Sequence, residues 1–173
     1  MNTKKTIVGA LGAILILVIS QILAGGIASG LIMLKVSDWI GNIVAGILYI
    51  GFSYLFLKLF AEKILKINLE SLGIPRFHIN LKWIIVAFIL PFMVTGIYLL
   101  FPGEFVNTNM DKAQVASTVC AGILFTGIAA GFVEEMVFRG FILNLLKNRW
   151  NKAVAIWVPS VLFGIVHILG MNY

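Results

Sequence analysis

The chain has 173 residues, of which 61% are hydrophobic and only 12% charged, with a net charge of +6. Soluble domains are nearer half apolar and a quarter charged, so this composition excludes an ordinary soluble globular protein and describes one made for lipid. A single cysteine, Cys120, excludes an intrachain disulfide and a cysteine-based metal cluster.

A membrane span needs about 20 apolar residues. Five stretches qualify, approximately Ile7–Leu34, Trp39–Phe60, Trp83–Phe101, Val115–Val133 and Ala153–Met171. The expected fold is therefore all-α, a polytopic helical membrane bundle with about five transmembrane helices. Residues 1–173 are read as one membrane domain, without internal repeats or low-complexity tracts. The first stretch exceeds the roughly 7–15 apolar residues of a signal peptide and is read as a span.

Between the spans the basic residues are unevenly placed. Lys4, Lys5, Lys58, Lys63, Lys66, Arg76, Lys82, Arg139, Lys147, Arg149 and Lys152 fall on one side, and only Lys35 and Lys112 on the other. By the positive-inside rule the N-terminus is cytoplasmic. The basic charge is thus a matter of topology and of contact with the lipid bilayer. It gives no reason to expect nucleic acid, because no basic soluble face interleaved with aromatics exists. The compact, loop-poor chain fits a bacterial plasma membrane.

Small residues recur at helical spacing in Gly26-x-x-x-Gly30 and Gly127-x-x-x-Gly131. Each pair would let a neighbouring helix approach closely, the second next to the acidic pair described below. Between the second and third spans, Leu69-Glu70-Ser71-Leu72-Gly73-Ile74-Pro75 reads as a short amphipathic turn broken at Gly73 and Pro75. The loop Pro102–Lys112 carries Glu104, Asn107, Asn109 and Asp111 without ligand-like spacing.

The fourth span ends on two adjacent glutamates, and its helix is expected to continue through them to about Lys147. Carboxylates at membrane depth cost several kcal/mol each, roughly 2.5–3.5 on insertion scales, so a pair of them signals use. Glu135 and Arg139 are four residues apart and share a helix face, so an ion pair between them is expected. Replacing Glu135 by alanine would strand Arg139 and harm folding. Glu134 points about 100° away and is left less neutralised, which suits a general base. Helix-end charges at an interface are the plainer reading of the same pair.

His167 is the sole histidine inside a span, and such a residue normally faces the bundle interior and a partner. Counted from Lys152 it lies roughly 22 Å up its helix. Glu134 lies roughly 20 Å from Lys147 on the antiparallel neighbour, at about 1.5 Å per residue. Equal depths allow carboxylate and imidazole to meet, with the Phe163 ring packed beneath the imidazole from one turn away. His78 belongs to a cytoplasmic loop, and Asn172 offers at best a neighbouring polar group.

Two segments now define a pattern. They are Gly131-Phe132-Val133-Glu134-Glu135-Met136-Val137-Phe138-Arg139-Gly140 and Ser160-Val161-Leu162-Phe163-Gly164-Ile165-Val166-His167. The order Glu-Glu-x-x-x-Arg, then Phe-x-x-x-His, resembles the first two motifs of the CPBP intramembrane proteases, named for CAAX proteases and bacteriocin-processing enzymes. Leu72-Gly73-Ile74 resembles a short upstream segment of the same family, and the likeness is concentrated in residues 113–173.

The resemblance implies an endopeptidase that hydrolyses a peptide bond near the cytoplasmic membrane face, with Glu134, Glu135, Arg139 and His167 as its site. Its partner would be a peptide or membrane-protein substrate. A Zn2+ or other divalent metal held by Glu134 and His167 and a metal-free route are both open. Family members continue into further spans with a second His followed four residues later by Asn or Asp. This sequence stops at Tyr173, so a truncated chain is expected. Two other functions stand beside the protease: a catalytically incomplete immunity or scaffold protein, and a small transporter or proton-relay subunit.

Overall fold

The computed structural model describes residues 2–74, 81–98, 100–102 and 109–170. The expectations for His78, Arg76, Asn172 and most of the Pro102–Lys112 loop lie outside them. Five helices carry the chain: α1 (Thr3–Met33), α2 (Asp38–Leu65), α3 (Leu81–Tyr98), α4 (Lys112–Lys147) and α5 (Lys152–Gly170). The described residues contain no strand, so the all-α expectation holds. Helices α1, α2 and α4 are long and apolar enough to cross a membrane, whereas the apolar part of α5, Lys152–Ile168, is shorter.

The chain forms two compact units. One spans residues 75–110, and its described part is chiefly α3. The other comprises Met1–Ile74 with Asp111–Tyr173 and contains everything that follows.

Small residues decide how α1, α2 and α4 meet. On α1 the buried positions are Thr6, Gly9, Ala10, Ala13, Leu17, Ser20, Ala24 and Ala28, a seam repeating every three or four residues. On α2 they run every fourth residue through Gly41, Ala45, Tyr49, Ser53 and Leu57. On α4 the corresponding row is Ala129, Val133, Val137, Phe141 and Leu145. Lipid is as apolar as leucine, so hydrophobicity does not pull these helices together; close backbone approach and dispersion do.

Contacts along the seams set the register. Gly41 meets Ile32 near the α1–α2 hairpin, and Gly12 meets the Phe60 ring at its far end, so α1 and α2 are antiparallel. Asn42 donates to Ser117 near the start of α4, and Phe60 packs on Phe141 near its end, so α2 and α4 run parallel. The predicted glycine faces are a correction. A Cβ at Gly26, Gly30 or Gly131 would meet nothing within 4 Å, and at Gly127 only the Gly122 carbonyl of its own helix. The alanine and valine rows, and not the glycine pairs, make the tight contacts.

Helix α4 begins where Asp111 caps it, its side chain accepting from the Gln114 amide while Gln114 reaches back to Asp111. It then runs through the acidic pair without interruption, as expected. Its backbone widens into π-type turns over Cys120–Ala130 and Glu135–Ile142, with Gly131–Glu134 as an ordinary α segment between them. Such widened turns are rare and favour functional positions.

The basic residues of this unit gather at one end. Arg149, in the α4–α5 loop, donates to Thr3 at the start of α1 across 3.2 Å, and Leu65 at the end of α2 lies against Gly9. Lys4, Lys5, Lys63, Lys66, Lys147 and Lys152 therefore share that end, while Lys35 and Lys112 sit at the other.

Candidate active site

Glu134 and His167 meet across the α4–α5 pair, with Oε1 3.6 Å from Nε2. The depth matching expected from residue counts is realised. The second imidazole nitrogen defines the first. Nδ1 lies 2.9 Å from the Phe163 carbonyl oxygen, which can only accept, so Nδ1 carries a proton. In a neutral ring Nε2 then presents a lone pair toward the carboxylate. At 3.6 Å the two are just too far apart for a direct hydrogen bond, and a water seated to one side can reach both.

The imidazole is held from below. The Phe163 ring lies 4.1 Å from it, centroid to centroid, as the four-residue spacing predicts. Phe163 in turn meets the buried Phe138 of α4 edge-on at 5.3 Å. This aromatic stack fixes α5 against α4 one turn from the pair. Its cost is exposure: the His167 side chain remains 46% exposed and Glu134 27%. His167 is thus half uncovered at the edge of the α4–α5 pair.

Glu135 and Arg139 form the expected ion pair, Arg139 Nη1 lying 2.9 Å from Oε1. Both side chains are more than half uncovered by protein. The helix places Val133 and Val137 inward, and the intervening charges consequently face out.

Between α4 and α5 lies a cleft of about 230 Å³. Glu134, Glu135 and Arg139 line it from α4; Pro159, Ser160 and Phe163 line it from α5. Proline and serine here escaped the sequence reading. Pro159 removes one backbone donor from α5, and the Ser160 hydroxyl donates to the Ile156 carbonyl at 2.8 Å.

A second missed group supports α4 from the basic end. Asn144 Nδ2 donates to the Leu72 carbonyl at 3.0 Å and the Gly140 carbonyl at 2.8 Å. It thereby ties the upstream Leu72-Gly73-Ile74 segment to the helix that carries the acidic pair. Gly73 ends the Leu69–Leu72 turn at φ 73°, where a Cβ would come within 2.7 Å of the Asn144 amide. Gly140 leaves room for Ile74, whose Cγ1 a Cβ would approach to 2.9 Å. The signal for these contacts was present as two glycines and an asparagine, but their pairing is tertiary.

Catalytic zinc takes three protein ligands. Glu134 and His167 supply two, and no group of three His, Cys, Asp or Glu comes together among the described residues.

Residues 116–173 match the family described as type II CAAX prenyl endopeptidase Rce1-like. No curated protein matches the chain, and no solved structure does. The match covers the helix bearing Glu134 and the helix bearing His167, about a third of the chain. Over that third the resemblance to CPBP proteases is borne out, and the matched family is one of endopeptidases, which supports a membrane protease in general.

Proposed function

We propose that this chain is an intramembrane endopeptidase in which Glu134 and His167 activate a water for attack on a peptide carbonyl. The observation that carries the reading is the 3.6 Å approach of Glu134 Oε1 to His167 Nε2 at the edge of an open cleft. A water bridging the two gives one proton to Glu134, the better base of the two glutamates because Arg139 pairs with Glu135 instead. Its oxygen attacks the carbonyl carbon, and the peptide C–N bond breaks as the departing nitrogen takes up the proton. His167, fixed through Nδ1, accepts the water's other hydrogen at Nε2 and so orients its oxygen for attack. Arg139 orients Glu135 and does not react.

The substrate is a peptide or membrane-protein segment that enters the α4–α5 cleft from the basic end. That end faces the cytoplasm of a bacterial cell, a topology supported by the gathering of lysines and arginines there.

Glu134→Gln keeps the shape and removes the base. In proteoliposomes offered a quenched peptide library, cleavage should fall by at least about a hundredfold, the lower bound for general-base catalysis. Cleavage at the wild-type rate would refute the assignment. A phosphatase or fluorescent-protein fusion at position 150 should report the cytoplasmic side; a periplasmic signal would overturn the topology.

A further inference from the structure

A hollow of about 590 Å³ opens at the end of α2, lined by Glu62, Lys63, Lys66, Ile67 and Asn68. It shares no lining residue with the Glu134–His167 cleft. Glu62, Lys63 and Lys66 are charged, and none of them has an ion-pair partner among the described residues. The backbone keeps them apart. Glu62 and Lys66 are four residues apart, the spacing at which a glutamate and a lysine pair on a regular helix. Here the last turns of α2, Phe60–Leu65, are widened, and Lys66 leaves the helix at φ 53° and ψ 46°. Glycine or asparagine ordinarily takes that left-handed conformation at a helix end. A lysine there is strained, and strain of this kind gathers at positions held for use.

The remaining groups define what would fit. Asn68 Oδ1 accepts from the Glu70 amide at 3.0 Å, so its Nδ2 group is left to donate elsewhere. Two ammonium groups and an amide donor suit a phosphate. The Glu62 carboxylate suits an ammonium and would repel a plain anion. A ligand that carries both a phosphate and a primary amine satisfies the whole lining.

The surroundings identify it as a lipid. Leu59 and Leu55 continue the Glu62 face along α2 at three- and four-residue steps, and they are 45% and 48% exposed. Helix α2 is long and apolar enough to cross a membrane, so this strip is where acyl chains would lie. The hollow also sits at the basic end of the bundle, where cationic side chains draw lipid phosphates.

We propose that the hollow at the end of α2 binds one phospholipid with an amine-bearing headgroup, such as phosphatidylethanolamine. Its phosphate rests on Lys63, Lys66 and Asn68, its ammonium on Glu62, and its chains along Leu59 and Leu55. A choline headgroup has no N–H to donate to Glu62, and a glycerol headgroup brings no cation.

The test is native mass spectrometry of the whole chain, released from nanodiscs of equal parts phosphatidylethanolamine, phosphatidylcholine and phosphatidylglycerol with the same acyl chains. The protein should retain phosphatidylethanolamine about two- to fivefold over either competitor. Equal retention of the three, or preference for phosphatidylglycerol, would overturn the proposal. Lys66→Gly removes the charge and suits the left-handed backbone, so the fold is kept, as thermal unfolding checks. Its retention of phosphatidylethanolamine should fall about fivefold, and unchanged retention would refute the site. Glu62→Gln should erase the preference over phosphatidylcholine; a preference that persists counts against the ammonium contact and overturns the assignment. Should either variant fail to fold, competition on the unaltered protein decides. Millimolar inorganic phosphate should leave the lipid in place, whereas its displacement would show a phosphate site that does not read lipid.

Discussion

The two sides of α4 are built by opposite rules. Toward α1 and α2 it presents Val133, Val137, Phe141 and Leu145, all fully buried and fitted to small residues opposite. Toward α5 it presents Glu134, Glu135 and Arg139 along a cleft whose walls do not close. The first face fixes where the helix is; the second leaves room for something else to bind. A single helix with both faces can hold a reactive carboxylate in place while keeping it accessible.

That contrast can be broken most severely on the open side. His167→Ala should lower peptidase turnover by about 10²–10⁴-fold and leave the unfolding midpoint in detergent nearly unchanged. A large drop in stability instead would mean that the imidazole serves packing. On the sealed side the expectation reverses. Phe141→Ala should cost about 3–5 kcal/mol of stability, read by thermal or denaturant unfolding, with KM of the remaining folded protein unaltered. Full stability would contradict the tight α1–α2–α4 core.

Smaller effects sharpen the boundary between the faces. Gly73→Ala forces a side chain into a left-handed backbone conformation and against Asn144. A loss of about 1–2 kcal/mol is expected, with Asn144→Ala producing a similar loss and the double variant less than their sum. Additive losses would show that the turn and α4 are independent. Glu135→Gln should have the smallest effect, under about 1 kcal/mol, because glutamine keeps an acceptor for Arg139 one turn along the helix. Failure of that variant to insert or fold would show that the ion pair sits at membrane depth, where an unpartnered Arg139 is costly.

Much of this was legible beforehand. The Glu134–His167 meeting followed from residue counts along two antiparallel helices, and the Glu135–Arg139 and Phe163–His167 contacts from four-residue spacing. These are local geometry, which sequence carries well. The packing faces of α1 and α2 were not seen, because a helix that is apolar all round gives no contrast between its lipid side and its protein side. Glycine pairs drew attention in place of the alanine seam Ala10, Ala13, Ala24 and Ala28, although the seam has the regular spacing of an interface. Asp111-x-x-Gln114 has the local spacing of a capping box, a signal carried within the loop segment itself. The Asn144 bridge depends on which segments become neighbours, and no local rule contains that.

Pro159 and Ser160 give α5 a mechanical character that the rest of the bundle lacks. Proline deletes one rung of the helix ladder, and a serine bonded back to the carbonyl four residues earlier relaxes the same turn. Two turns beyond this weak point stands His167, at the far end of a lever whose base is anchored by the buried Ala155. A bend of a few degrees at the proline changes the gap to Glu134 by a fraction of an ångström for each turn of lever. The width of the reactive gap is therefore set by the stiffness of one helical turn, and a substrate wedged against Pro159 would be felt at the imidazole.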